Sequence, residues 1–347
     1  MSELVDRLAE LTGFRDRDVL DVTLVGALND LIQPLSVAIY RSVGEPGQER
    51  WLTRARLSGN QCVATTDTAW SAPESLPWLA DFPARHEAFV SQRVMHLAGS
   101  PAVSLFPVIS DRNVIGVIEI ESDAVLDSQA QRLIGSILRI YRNFQSLLDY
   151  SERDTLTGLL NRKTFDETFL KVSAELRSVS DADDKADRRS AGGASASGGS
   201  TWLGLIDIDH FKRVNDNHGH LIGDEVLLLL SRLMRSSFRF HDRLYRFGGE
   251  EFVVLMRCHG EADALLAFER LRTNTESYAF PQVGQMTVSV GFTEVNASDS
   301  PNAAFERADQ AVYYAKGAGR NQVRSHADLV ARGELKDISK AGDVDLF

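Results

Sequence analysis

The pentapeptide Gly248-Gly249-Glu250-Glu251-Phe252 constrains this chain more than any other stretch. Paired glycines between strand-like runs close a tight hairpin, because glycine reaches the positive φ that such turns require. The run that follows, Phe252-Val253-Val254-Leu255-Met256, is apolar throughout and reads as a strand, so the hairpin carries two acids at its tip. A second apolar run, Trp202-Leu203-Gly204-Leu205-Ile206, suits a buried strand and ends in Asp207-Ile208-Asp209. Carboxylates at the end of a buried strand are expected to face a cleft. Each acidic pair taken alone is a solvated turn. Brought together, the tip and Asp207 would form a carboxylate cluster able to hold one or two metal ions, suited to in-line attack on phosphorus.

At 347 residues the chain suits two domains joined by a linker. A net charge of −11 argues against broad attraction to nucleic acid or anionic lipid, so a polyphosphate site must be built locally. Two widely separated cysteines, Cys62 and Cys258, lack metal-ligand spacing and fit a reducing compartment. The opening MSELVDRLAEL is acidic where a secretory leader would be basic, and the longest aliphatic stretch, Val226 to Leu230, is far short of the roughly 20 residues that span a bilayer. The expectation is a cytoplasmic protein with neither nucleic-acid nor membrane partners.

Two globular stretches are legible. In the first, up to about residue 125, the runs Val103–Ile109 and Val114–Ile120 flank the turn-rich Ser110-Asp111-Arg112-Asn113 and read as a hairpin. This stretch resembles a GAF domain; a PAS domain or another small α/β sensor is the alternative. Cys62 reads as a small core residue, and Trp70, Trp78 and Phe82 as core or surface residues that could line a pocket. A helix follows, with Asp127 or Ser128 as N-cap. Its apolar residues Leu133, Ile137, Ile140, Phe144 and Leu147 are spaced 4, 3, 4, 3, which fits a coiled-coil seam over residues 126–153. A helix packed on its own domain is the other reading, since a seam is normally sustained for roughly three to four heptads. After a helix over Asp166–Leu176, residues 178–200 are rich in Ser, Ala, Gly and Asp and are expected to be a disordered surface insertion. The tail 326–347 is expected to be partly ordered at best.

The second stretch resembles the GGDEF family of diguanylate cyclases, in a Gly-Gly-Glu-Glu-Phe form. The likeness covers roughly residues 150–325. It includes Asp154-Thr155-Leu156-Thr157-Gly158-Leu159-Leu160-Asn161-Arg162 and Asp207-Ile208-Asp209-His210-Phe211-Lys212. Asn215-Asp216, Gly219-His220, Gly223-Asp224-Glu225 and Lys316-Gly317-Ala318-Gly319-Arg320-Asn321 follow in order. The resemblance implies an α/β (α+β) two-domain protein: a GAF-like sheet with flanking helices in 1–125, and in 154–325 a central mixed β-sheet surrounded by helices. It implies condensation of two GTP into cyclic di-GMP with release of two pyrophosphates. Asp207, Glu250 and the carbonyl of Ile208 would bind Mg²⁺, for which Mn²⁺ could substitute, and Glu251 would act as a further metal ligand or as the base for the 3′-hydroxyl. Asn215 and Asp224 match the guanine-recognising positions, where a carboxylate accepts from guanine donors that adenine lacks. Lys212, Lys316 and Arg320 match the phosphate-binding cations, and Phe211 would offer its backbone to the phosphates.

One such domain binds one nucleotide, so the reaction implies a homodimer, which an upstream seam would promote. Arg239-Phe240-His241-Asp242 matches the family's RxxD product-inhibition site, with Arg270 as a second contact; the ordinary reading is a surface ion pair on a helix. A helix over Ala303–Lys316, closed by Gly317, is expected beneath the last motif. The alternatives to a cyclase are a non-catalytic receptor for GTP or cyclic di-GMP, or a dimeric signalling scaffold. No phosphodiesterase motif is present.

Overall fold

The computed structural model describes residues 17–44, 47–59, 61–63, 75–110, 113–187, 199–239 and 241–336. The opening segment 1–16, Trp70, Phe240, residues 188–198 and the end of the tail, 337–347, lie outside them, as does the side chain of Cys62. The chain divides into two compact units at Ser151/Glu152.

The first unit contains α1 (Arg17–Ile32), β1 (Ser36–Val43), β2 (Arg50–Ser58), β3 (Gln61–Val63), α2 (Pro83–Ser91), β4 (Met95–Leu97), β5 (Ala102–Ile109), β6 (Val114–Ser122) and α3 (Ser128–Glu152). Its strands form one antiparallel sheet in the order β3-β2-β1-β6-β5-β4. The expected hairpin is β5–β6, with Phe106 opposite Ile118 and Ser110 N–H donating to Asn113 O at 2.9 Å across the turn. Strand side chains alternate, and both faces of this sheet are covered, so apolar residues occupy both phases. Val37, Ile39, Phe106, Val108, Ile118 and Ile120 pack on α1 and α3. Ala38, Tyr40, Leu105 and Val117 face Ala88 of α2 with Trp51 and Leu79. Trp78 and Phe82 are exposed and stack on guanidiniums, Arg50 over Trp78 at 3.7 Å and Arg85 over Phe82 at 4.2 Å.

Asp127 caps α3, its Oδ1 accepting from the amides of Gln129 and Ala130 at 2.9 and 2.7 Å. The helix buries Ile134, Ile137, Tyr141 and Leu148 in its own unit, with Leu133, Ile140 and Phe144 half-buried against the same core. Most of the 4-3-4-3 stripe is therefore packed within one chain, the second of the two sequence readings. Only Leu147, 65% exposed, and Tyr150, 77% exposed, stand clear of it. A polar link also fixes this helix. Buried Asp21 of α1 accepts from Arg41 and Arg54, each at 3.1 Å, and from the Tyr141 hydroxyl. Burial alone would raise the Asp21 carboxyl, but the two guanidiniums outweigh it and the group is lowered.

The second unit contains β7 (Leu160–Asn161), α4 (Arg162–Asp187), β8 (Ser200–Ile208), α5 (Phe211–His218), α6 (His220–Ser237), β9 (Arg243–Gly248), β10 (Glu251–Cys258), α7 (Glu261–Ser277), β11 (Ala279–Phe280), β12 (Gly284–Gln285), β13 (Val288–Glu294), α8 (Pro301–Gly317), β14 (Val323–Ser325) and α9 (His326–Ala331). The main sheet runs β14-β13-β8-β10-β9-β7 and is mixed: β13–β14 and β7–β9 are parallel, the other pairs antiparallel. Central β8 is buried on both faces from Thr201 onward, which explains its unbroken apolar run. Trp202, Ile206 and Ile208 join the main core with Phe252, Phe268 and Phe292, while the opposite phase of β8 lies under α8.

Three expectations are corrected. Helix α4 continues to Asp187, ten residues into the segment expected to be disordered, and Ser200 already belongs to β8. Extending an established helix adds a hydrogen bond for each residue fixed, so a polar stretch can follow a packed one. The folded unit also passes Ser325: the Ser325 hydroxyl caps α9, and His326 and Leu329 are 4% and 1% exposed. The third correction concerns Arg239, His241 and Asp242, which lie between α6 and β9 and outside any helix. Among the described residues no helix is long and apolar enough to cross a membrane.

Candidate active site

The hairpin tip forms as the sequence implies. Gly248 and Gly249 take φ of +143° and +54°, and β9 and β10 pair antiparallel behind them. On the other side β10 pairs with β8 so that Glu251 lies directly opposite Asp207. Paired residues point to the same face of a sheet, so two acids face one another there. That is also the face under α8, whose last turn supplies Lys316. Its Nζ lies 2.8 Å from Asp207 Oδ2, while Asp207 Oδ1 is buried without a hydrogen-bond partner.

Burial raises the Asp207 carboxyl; Lys316 opposes this, and Asp209 and Asp309 add to it. Glu250 and Glu251 are raised by their own burial and then by Asp207, with Lys316 opposing. Three carboxyls that hinder each other's ionisation around a partnerless buried oxygen are the donor set a hard divalent cation would relieve. Among the described residues no three His, Cys, Asp or Glu side chains already converge as a metal cage. Mg²⁺ does not need one, since it usually takes one or two carboxylates plus substrate phosphates and keeps several waters. The residues fit that mode.

Asp209 departs from expectation. It does not face a cleft but is 3% exposed. It accepts from the hydroxyls of Thr287 and Ser289, each at 2.7 Å, and from the amide of Asn321 at 3.0 Å. It therefore ties the end of β8 to the loop after α8, where Arg320 (φ +65°) is exposed. The sequence named Asp209 only as part of a motif. Its two-residue offset from Asp207 places it on the same side of the strand, a signal of proximity but not of role.

Between β8 and α5 the chain turns through His210 at φ +61°, and the Phe211 ring is 5% exposed in the core. A helix start with exposed Lys212 on its first turn suits an anion. Asn215 and Asp224 come from α5 and α6 on either side of the corner at Gly219. Gly223 makes that corner work: a Cβ there would lie 2.0 Å from Asn215 Oδ1. The Asn215 amide is held against a position that only glycine can occupy without displacing it.

Two more positioning residues were not assigned a role from sequence. Arg246 of β9 donates to Gly249 O through Nη2 at 2.9 Å and to Asp154 Oδ1 through Nη1 at 3.0 Å. Asp154 Oδ1 also accepts from the Thr157 amide at 2.8 Å and hydroxyl at 2.7 Å. Burial would raise Asp154, but the Thr157 and Arg246 bonds prevail and it is lowered. The Asp-x-x-Thr spacing announces the local turn; the link to the hairpin tip is visible only in three dimensions.

At the turn after α6, the Arg239 amide donates to Asp242 Oδ2 at 2.8 Å and the Asp242 amide to Arg239 O at 3.0 Å. Burial pushes Asp242 up to about 6, against the charges of Arg239 and Arg270. Arg270 Nε donates to Ser237 O at 2.7 Å, which holds it beside this turn.

Residues 188–322 match the family model described as diguanylate cyclase, GGDEF domain. The matched residues lie within the second unit. Diguanylate cyclase DgcP of Pseudomonas aeruginosa is 38% identical over 173 residues, 49% of this chain and 23% of that protein. Response regulator PleD of Caulobacter vibrioides is 37% identical over 187 residues, 52% of this chain and 37% of that protein. This chain thus spans well under half the length of both relatives. A solved structure of the coiled coil and GGDEF domain of DgcB from Caulobacter crescentus, in complex with c-di-GMP, is 26% identical with a TM-score of 0.47, covering 57% of this chain and all of that one.

Proposed function

We propose that this protein is a diguanylate cyclase that joins two GTP into cyclic di-GMP as a homodimer, in the cytoplasm. The observation that carries the reading is the meeting of Asp207, Glu250 and Glu251 with Lys316 at the end of β8, in a unit that matches the GGDEF family. Asp207, Glu250, Glu251 and the Ile208 carbonyl are the groups that would hold Mg²⁺ or Mn²⁺, which when bound supplies charge neutralisation at the reacting phosphate. Lys316, Lys212 and Arg320 bind phosphate oxygens, and the backbone at Phe211 adds donors at a helix start. Asn215 and Asp224 hold the guanine edge and reject adenine. Glu251, at the tip and raised by partial desolvation and then by Asp207 and Asp309, accepts the proton of the attacking 3′-hydroxyl. Arg246, by bonding Gly249 O, keeps the tip in place. Each domain presents one nucleotide, so the two halves meet face to face.

Arg239, Asp242 and Arg270 form the product-binding brake in this reading. Guanidiniums clamp a phosphate or a guanine face, and the carboxylate accepts from guanine N–H groups. The first unit acts as a GAF-like regulatory domain, supported by its six-stranded antiparallel sheet with helices on both faces. The test is formation of cyclic di-GMP by the full chain from GTP with Mg²⁺, followed by chromatography, with Glu250→Gln as control. Product from the wild type but not the variant is expected. Binding of GTP without turnover would overturn the enzyme reading in favour of a receptor.

A further inference from the structure

The first unit has a concave site that neither its core nor the cyclase chemistry uses. Edge strand β4 pairs with β5 only as far as Leu105. Beyond that point β5 and α3 line two open hollows of about 510 and 260 Å³ that share Pro107, Ile109, Gly135 and Leu138 in their walls. The larger falls within the size range of small-molecule sites, roughly 300–1,000 Å³. Val94 and Phe106 extend its apolar wall.

Two features point to the occupant. Arg132 borders the larger cavity, and Arg139 and Arg142 border the smaller. Their spacing along α3 places them on one side of the helix, and among the described residues none of the three guanidiniums is paired with a carboxylate. In a chain of net charge −11, three cations that have no carboxylate partner among the described residues thus line one apolar trough. The second feature is Gly135, in the interior of a 25-residue helix, where glycine is unfavourable relative to alanine. No close packing requires it, since a Cβ there would meet nothing within 4 Å. A side chain at this position would project into the wall that both cavities share.

We propose that this trough binds a small anionic amphiphile, a free medium-chain or aryl carboxylate. Its apolar body would lie over Gly135 and its carboxylate would meet the guanidiniums at one end of the trough, Arg132 or the Arg139 and Arg142 pair one turn apart. Ten residues of helix separate Arg132 from Arg142, about 15 Å, within which a chain of about ten carbons can lie. Charge complementarity decides against a neutral or cationic lipid.

The probe is decanoate, titrated calorimetrically into the full chain, with decyltrimethylammonium and sulfate as controls. The expected result is saturable binding of one decanoate per chain and none of either control. Gly135→Leu should abolish binding while keeping wild-type circular dichroism and an equal or higher Tm. Arg139→Gln and Arg132→Gln should keep the fold and at least one of them should weaken binding about tenfold, as loss of a charge-assisted hydrogen bond does. The proposal fails if wild type binds no decanoate, if Gly135→Leu binds it unchanged, or if the cationic amphiphile binds equally well. It also fails, in favour of a second copy as occupant, if Gly135→Leu dissociates a dimer that decanoate leaves intact.

Discussion

Asp242 should make the stability of the second unit depend on pH in a way its neutral isostere does not. Its side chain is 5% exposed, and burial lifts its carboxyl from 3.8 to about 6 despite the charges of Arg239 and Arg270. A group whose folded pKa is raised favours the folded state fully below its unfolded pKa and loses that contribution as pH rises through the folded value. At about 1.4 kcal/mol per pH unit, the displacement amounts to at most about 3 kcal/mol, lost between about pH 4 and pH 6.5. Asp242→Asn keeps an oxygen to accept from the Arg239 amide but cannot ionise. The experiment is urea unfolding of both proteins at several pH values from 4 to 8, in a His241→Gln background because His241 Nε2 lies 3.8 Å from Asp242 Oδ1, and read as parent minus Asp242→Asn so that distant titrating groups cancel. The parent should lose up to about 3 kcal/mol relative to the variant across that range and then remain level. A flat difference, or one of opposite sign, would refute the claim that this carboxylate is held in a desolvating turn. The same ionisation bears on the proposed brake, which needs the carboxylate to accept from guanine. Inhibition by cyclic di-GMP should therefore weaken below about pH 6 in the wild type.

Gly223→Ala should displace the Asn215 amide, since its Cβ would fall 2.0 Å from Oδ1. The Michaelis constant for GTP should rise about tenfold with a smaller change in kcat, as expected when a binding hydrogen bond is lost; steady-state kinetics at saturating Mg²⁺ checks this. Asp209→Ala should leave the Thr287 and Ser289 hydroxyls and the Asn321 amide without their acceptor. At about 1–3 kcal/mol for each buried unsatisfied group, partly relieved by relaxation, a loss of about 3 kcal/mol follows. Calorimetry should show a Tm lower by about 6–12 °C, with turnover falling because the Arg320 loop is released.

What could be read from residues alone was what depends on neighbours in the chain. Gly248-Gly249 determines its own turn through φ, β8 and β10 through apolar runs that suit burial, and Asp127 caps its helix through amides three residues ahead or fewer. The Asp154–Thr157 turn belongs to the same class. The sequence could also place acids at strand ends, because alternation fixes a side chain's face once the strand is granted. It could not say whether such an acid meets solvent or a partner, and so Asp207 and Asp209, two residues apart, had the same expectation and received different surroundings.

The tertiary structure alone decided that Asp207 is neighboured by Lys316 and that Asp209 is spent on Thr287, Ser289 and the Asn321 amide 112 residues away. It alone decided that Arg246 joins Asp154, at a separation of 92, to the hairpin tip. It also decided that α3 turns most of its stripe inward and that Arg239 and Asp242 hydrogen-bond to each other outside any helix. Short-range structure follows from dihedral preferences and hydrogen bonds that each segment carries with it. Charge partners and buried faces depend on which segments the packed core brings together, and no local preference encodes that choice.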